Sequence, residues 1–568
     1  MKTHVLLRAC SAFLGLLPIA LLAQEGATPG GQYYIHGIFN PTIADVQKVD
    51  RRPQALDTVL PERVVTYQVI PTQARLPIKV DSIAPAKLGI SQTNERLYKG
   101  FVKLGYGIFN TPLGELYYDQ GRNKKNSYGI HLKHMSSNGG LNDLGYSGYS
   151  FNNADAFYTL RLRNHAVKLR ADYARRGVNY YGFREEGFDT LDLPVPGDIL
   201  QVYNDLGFAA QVKSIYGDST ALAHDVKLDA RYYTARTGSK ETQVKFTADL
   251  SKRLDSETYA AVLLIDNNAY TGQPNDTLPS FRQNGTLIGL TPTVSTRGEK
   301  YVVRIGAGIY VDAMSKTTFH FYPQAYLSYS LFDDILVPYA GVDGQRMRNS
   351  YRSITQENPW TIPGPVLANS SKLYDIYGGL RGSLSSALGF DVRVSYTGWR
   401  DRLLYITDGF YSFGNQFNTV YDDVKVLDVS GDLTYDAGKG IRFHGRLDIF
   451  NYDTDDQAEP WNLPPYQLAI GARYSLRDKL IIELDAMLMG KRKAFTPIFD
   501  SVLDQTPDRT ETVELNGFVD IHLGVEYRYT KRLSVFLQAS NLSLSRYERW
   551  VSYPVQRGLV LGGASYAF

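Results

Sequence analysis

The residues with most scope for chemistry are charged side chains set at alternate positions. An early group holds Arg161, Arg163, Lys168, Arg170 and Asp172, and Lys227, Asp229 and Arg231 follow. A later group holds Glu483, Asp485, Asp520, Glu526 and Arg528. Gathered on one wall, they could select an ionic ligand, with the basic early set attracting anions. They could equally pair across neighbouring strands and hold a wide sheet rigid. The acidic run "YDTDDQAEP" brings Asp453, Asp455, Asp456 and Glu459 together. It lacks the spacing and turn glycine of an EF-hand, so a solvated loop is expected there instead of a Ca²⁺ site. His131 and His134 are three apart on a strand and face opposite sides, so they cannot share a metal. No nucleophile elbow, zinc-protease motif, phosphate loop or cysteine–metal spacing is present. The expectation is a protein that is not an enzyme, with no catalytic residue, cofactor or metal.

These side chains must be positioned by strands. In "FVDIHLGVEYRY", Val519, Ile521, Leu523, Val525, Tyr527 and Tyr529 share one face, and Asp520, His522, Gly524, Glu526 and Arg528 share the other. "RLSVFLQAS" and "IRFHGRLDI" repeat the period, as do "AFYTLRLR", "HDVKLDARYY", "TQVKFTADL" and "LIIELDAML". A soluble sandwich or propeller would also alternate. The connections decide between them. Short turns such as "TRGEK", "LFDD" and "LRDK" alternate with long loops such as "SYRSITQENPWTIPGPVLANSS". That alternation predicts an all-β fold, a transmembrane antiparallel β-barrel of about 22 strands spanning 97–568, with short periplasmic turns and long extracellular loops. The polar face then lines the lumen, and the nine candidates there are Arg161, Arg163, Lys168, Arg170, Lys227, Arg231, Asp520, Glu526 and Arg528.

Composition agrees. The 42 Tyr against 25 Phe suit an interface with lipid headgroups, where a ring with a polar tip is favoured. A net charge of +3 makes nucleic acid an unexpected partner. Residues 1–23 read as a signal peptide, with Lys2 and Arg8 ahead of the apolar "SAFLGLLPIALLA". This run is shorter than a spanning helix needs, and the only cysteine, Cys10, falls within it. Residues 24–96 are rich in Pro and polar groups and read as a short periplasmic segment or one inserted into the lumen.

The C-terminal stretch "NLSLSRYERWVSYPVQRGLVLGGASYAF" resembles the end of TonB-dependent receptors. The matching residues are Asn541-Leu542, Tyr547, Tyr553-Pro554, Arg557-Gly558 and Tyr566-Ala567-Phe568. The resemblance implies an integral outer-membrane receptor or transporter of Gram-negative type. It also implies that Tyr566 and Phe568 form the signal read by the barrel-assembly machinery. That family carries a plug of well over a hundred residues and an N-terminal TonB box. Here 24–96 is too short for such a plug, and only "VVTYQV" at 64–69 looks like the box, so coupling to TonB is in doubt. Transport or reception of a ligand through the charged lumen is therefore weighed against two alternatives: a non-transporting subunit of an outer-membrane assembly or secretion complex, and a passive porin-like channel. The partners expected are outer-membrane lipid, the assembly machinery, and TonB or an envelope protein.

Overall fold

The computed structural model describes residues 98–568, apart from 122, 124, 142–143, 184–195, 217–219, 275–277, 410–411, 413, 439 and 499–508. The signal peptide, the segment 24–96 and the stretch 64–69 lie outside the described residues.

Alternation of apolar and polar side chains becomes a continuous wall. Its strands begin with β1 (Gly100–Gly107), β2 (Thr111–Asp119), β3 (Asn126–Ser137), β4 (Tyr149–Arg161), β5 (His165–Asn179) and β6 (Leu200–Ser214). Then come β7 (Ala223–Ala235), β8 (Lys240–Leu254), β9 (Glu257–Gly272), β10 (Phe281–Arg297), β11 (Tyr301–Ala313), β12 (Thr317–Tyr329) and β13 (Leu336–Met347). They are followed by β14 (Ser370–Ser383), β15 (Leu388–Thr407), β16 (Phe417–Gly438), β17 (Ile441–Thr454), β18 (Tyr466–Leu476) and β19 (Leu480–Met489). Two small hairpins, β20 (Arg492–Ile498) with β21 (Arg509–Leu515) and β24 (Glu548–Trp550) with β25 (Tyr553–Pro554), stand outside the wall. The wall resumes with β22 (Phe518–Arg528) and β23 (Leu533–Ser540) and ends with β26 (Leu559–Ala567). Two short helices are described, α1 (Pro196–Ile199) and α2 (Tyr351–Glu357).

Twenty-two strands form one sheet, each antiparallel to its neighbours, and β26 pairs back onto β1, so the sheet is closed. Phe101–Gly107 pair with Leu561–Ala567, and the amides of Lys99 and Gly100 both donate to the Phe568 carbonyl at 2.9 Å. A Cβ at Gly100 would lie 2.2 Å from the Phe568 ring, so this first position of β1 admits only glycine while the ring stays in place. The expected barrel and strand number are both observed.

Which face looks outward follows from exposure. Leu169 and Tyr173 of β5, Phe208 of β6 and Ile305 of β11 are open to the surroundings, while Asp205 of β6 and Tyr310 of β11, on the opposite face, are buried. A continuous apolar exterior on a closed barrel is a lipid-facing belt. Tyr566 and Phe568 belong to it and stack with ring centres 6.5 Å apart.

The even strand number puts both ends of the wall at one end of the barrel, the periplasmic end. Turns there are short, as at 162–164, 255–256 and 477–479. The opposite end departs from strict alternation: the connections 108–110, 236–239 and 314–316 are as short as the turns. Length at the outer end is concentrated in a few loops, and these fold inward. One seam of the wall is also short. All thirteen positions of β12 pair with β11, yet only Ala325–Ser328 pair with β13, at Tyr339–Val342.

Candidate functional site

The connection 348–369 between β13 and β14 is the centre of the site. Its sequence makes a short helix with a defined start. The Ser353 amide donates to Ser350 Oγ at 3.1 Å and the Ser350 amide donates to Ser353 Oγ at 2.9 Å, a reciprocal cap over α2. Pro359 follows the C-cap Asn358 and stops the helix.

Anchors then run to walls on opposite sides of the barrel. On one side, Arg352 Nε donates to Asp205 of β6 at 2.6 Å, the Tyr351 amide to Glu241 of β8 at 2.6 Å, and Tyr203 Oη to the Pro359 carbonyl at 2.9 Å. Tyr233 Oη and Thr355 Oγ1 share a hydrogen bond of 2.7 Å, and Arg348 pairs with Asp266 of β9 at 3.2 Å. On the other side, Tyr405 Oη of β15 donates to Glu357 at 3.0 Å, and Thr361 bridges to Phe417 at the start of β16. Tyr421 Oη of β16 accepts from the Ala368 amide at 3.0 Å. The anchoring strands β6–β9 and β15–β16 lie six to ten positions apart in the ring of 22, so the connection reaches across the bore.

Aromatic packing fills the space around it. Tyr351 is fully buried among Tyr203, Tyr233 and Tyr270, with ring centres 5.3 to 6.4 Å away. Trp360 stacks on Tyr553 of the β24–β25 hairpin at 4.2 Å, Tyr181 meets both edge-on, and Trp550 packs against Tyr405 and Phe417. The Tyr553 hydroxyl donates to the Asn415 carbonyl, and Arg492 of β20 holds the hairpin through the carbonyls of Glu548 and Arg549, each at 2.5 Å. Burying each such side chain is worth roughly 1.5–3 kcal/mol, so the closure is a folded core and not a loosely draped loop. Burial pushes the Tyr351, Tyr181 and Tyr553 hydroxyls well above the usual phenol range, so they stay protonated; Tyr181 and Tyr553 donate to the Pro554 and Asn415 carbonyls, while the Tyr351 hydroxyl is buried without a partner.

A cavity of about 410 Å³ lies beside this closure, between β3–β5, β22, β23 and the 541–558 connection, with Pro359 and Trp360 on one side. Its polar lining is mixed in sign. Asp520 accepts from Tyr547 Oη at 2.5 Å and lies 3.3 Å from His522 Nε2, while its other carboxylate oxygen is buried without a partner. Burial and that hydrogen bond hold the Tyr547 hydroxyl protonated. Arg176 donates to the Gln356 carbonyl at 3.3 Å and brings a cation to the same lining, as Arg549 does. Tyr149, Phe151 and Tyr181 supply apolar surface. The cavity can hold a small polar ligand against aromatic rings.

The candidates named from sequence are dispersed by the fold. Arg161 donates to the Asn123 carbonyl at 3.4 Å at the periplasmic rim, and Arg163 lies in the β4–β5 turn. Lys168 sits over the Phe157 ring at 5.5 Å. Arg170 pairs with Asp155 at 3.2 Å and Asp172 at 3.4 Å, Lys227 with Asp229 at 3.5 Å, and Glu526 with Arg528 at 3.3 Å. Arg231 lies among Asp172, Asp205 and Asp229 at 3.0, 3.3 and 3.1 Å. Most of these cations are thus tied to neighbouring carboxylates as wall staples. Only Arg231, through Asp205 and Arg352, and Asp520, in the cavity, reach the closure. His131 contacts Glu115 and Asp155 while His134 contacts Asn152, so the two histidines are separate, as expected. Asp422 of β16 accepts from the amides of Asp456 and Gln457, and Glu459 pairs with Lys493 of β20, so the acidic loop is held by neighbouring strands. Among the described residues no three His, Cys, Asp or Glu side chains could hold one metal.

Sequence reasoning passed over Tyr203, Tyr233, Tyr270, Tyr351, Arg352 and Trp360. A signal was there: Tyr203, Tyr233 and Tyr270 fall on the polar face of their strands, near the outer ends. Tyrosine on that face marks a packed mouth instead of a lipid interface.

No family model and no curated protein sequence matches the chain. Solved structures do. The FrpB iron transporter from Neisseria meningitidis superposes with a TM-score of 0.64 at 11% identity, over 84% of this chain and 82% of its own. The siderophore receptor PirA from Acinetobacter baumannii gives 0.62 at 10%, over 83% and 81%. The ferripyoverdine receptor of the outer membrane of Pseudomonas aeruginosa gives 0.60 at 12%, over 83% and 72%. At these identities the likeness is one of fold alone: the chain shares the barrel fold of these receptors and transporters, and its exterior carries an apolar belt suited to lipid.

Proposed function

We propose that this integral outer-membrane barrel is a receptor or transporter that takes a small ligand at its outer mouth and passes it down the charged bore. The connection 348–369 keeps the axial path shut at rest. The observation that carries this reading is the set of anchors joining that connection to β6, β8 and β9 on one side and to β15 and β16 on the other. A subunit that only docked partners would need no ionic wall beneath a seated lid. A passive pore would be obstructed by one. The cavity beside Trp360 supplies a place for ligand to wait on the outer side.

Conductance of the purified protein in planar bilayers tests the reading. The unaltered protein is expected to be almost silent, and a variant with 351–366 replaced by a short Gly-Ser linker is expected to conduct steadily. Steady conductance of the unaltered protein would establish the passive channel instead. A silent variant would point to a second obstruction, either the segment 24–96 or a bound protein. Removal of 24–89 and recovery of native complexes then separate those two and show whether TonB or an envelope partner binds.

A further inference from the structure

Two prolines limit the pairing of β12 with β13. Below the paired stretch the next position on β13 is Pro338, and above it Pro323 of β12 stands opposite Gly344. Proline has no N–H to give a ladder, and it is ordinarily confined to sheet edges or bulges. Gly344 is such a bulge, where the register of β13 with β14 shifts between Asp343 and Gln345. The outer half of β12, from Thr317 to Gln324, therefore pairs with β11 alone, and Gln345–Met347 pair with β14 alone.

Where the ladder is missing, Gln324 Nε2 donates to the Gly344 carbonyl at 3.5 Å, and other side chains reach across the seam to the strands beyond it. Tyr322 and Ser371 share a hydrogen bond of 2.7 Å, and Arg346 donates to Asp312 of β11 at 2.9 Å. Contacts of this kind part at lower cost than a continuous ladder. Unpaired backbone at lipid depth is costly, so a wall with no use for a weak seam would be expected to pair it.

The surroundings say what the seam suits. Outside it, Phe319 and Phe321 are among the most exposed side chains of the belt, at 68% and 60%. Inside it, Leu264, Leu287, Tyr310, Tyr322 and Leu373 form an apolar cluster on the wall of an otherwise ionic bore. Apolar side chains thus flank the weak seam on its outer side and, buried, on its inner side. A hydrocarbon chain that displaces the Tyr322–Ser371 and Arg346–Asp312 contacts finds apolar groups on either side of the seam to cover it.

We propose that the seam between β12 and β13 is a lateral port through which a lipid acyl chain passes between the bilayer and the bore. The port lies in the wall and the closure across the bore, and although Asn369 of the closure shares Asp312 with Arg346, one can open while the other stays shut.

Two measurements test it, both in a chain with Cys10→Ser, Gln324→Cys and Asp343→Cys. First, Leu264→Trp places a reporter on the inner cluster and Phe319→Trp a control on the belt. Both are read in bilayers of phospholipid brominated along its acyl chains, against the same chain without the reporter. Quenching is expected at both positions under reduction. Oxidising the cysteine pair should lower it several-fold at 264 only, with recovery on reduction. Quenching at 319 alone, or quenching at 264 that the cross-link leaves unchanged, overturns the proposal. Second, spin labels on the two cysteines are expected to give a short and a longer distance population. A single short population at all lipid compositions overturns it as well. Axial conductance of the loop-replaced barrel is expected to be unaltered by the cross-link, which separates the two readings.

Discussion

Tyr351 shows how a single side chain closes a wide bore. Its ring touches three strands through Tyr203, Tyr233 and Tyr270 while its amide is held by Glu241. Tyr351→Ala should cost the seating of the connection about 3–5 kcal/mol, in the range of other buried aromatic truncations. The barrel itself should survive, and the change is expected to appear as intermittent conductance with an unaltered melting transition of the wall. Glu357 carries a subtler test. Protein crowding raises its carboxyl above the ordinary range, although Tyr405 and the cation of Arg402 oppose this. The sign follows: a raised carboxylate favours the seated connection when protonated, so seating is firmest at acid pH and weakens as pH rises through the raised pKa. The group still meets water, so the effect is small. Glu357→Gln should flatten this dependence in hydrogen exchange of 351–357. Neither role was legible from sequence, because Tyr351 and Glu357 sit in a stretch whose Ser, Asn and Pro content describes any solvated loop. Their burial is decided by partners on strands distant in the chain.

At the scale of elements, the strands were legible and the connections were not. Period-two alternation depends on lipid outside and ionic groups inside, a contrast written into each strand by itself. "FVDIHLGVEYRY" therefore predicted the strand β22. The inward course of 348–369 has no local code; it needs the mouth that β6, β7, β9, β15 and β16 create together. Three outer connections came out as short as turns, and this too escapes a reading based on a few conspicuous loops. The seam of β12 with β13 yields a prediction at this scale. Amides of the outer half of β13 should exchange with deuterium faster than those at the centre of β15 and β16, which pair along eighteen positions. Pro323→Thr restores a donor and is expected to slow that exchange. Unchanged rates would mean that the bulge at Gly344, and not the proline, sets the gap.

The whole molecule is a ring whose first and last strands share a ladder as regular as any other. Deleting 559–568 would strip partners from both β1 and β23, so such a chain should give no heat-modifiable compact form on electrophoresis. Gly100→Val should impair the same closure in milder form, because the new side chain occupies the place of the Phe568 ring. The ring also has no structurally privileged starting point. Phe568 lies against Lys99 and Gly100, so a short linker could join the ends of the wall and the chain could be reopened at the turn 477–479. In such a circular permutant Phe568 keeps every contact it has now but no longer stands at a terminus. If the permutant refolds in detergent yet fails to reach the membrane in cells, the residue works as an address read at a free end. If it does both, its task is carpentry alone.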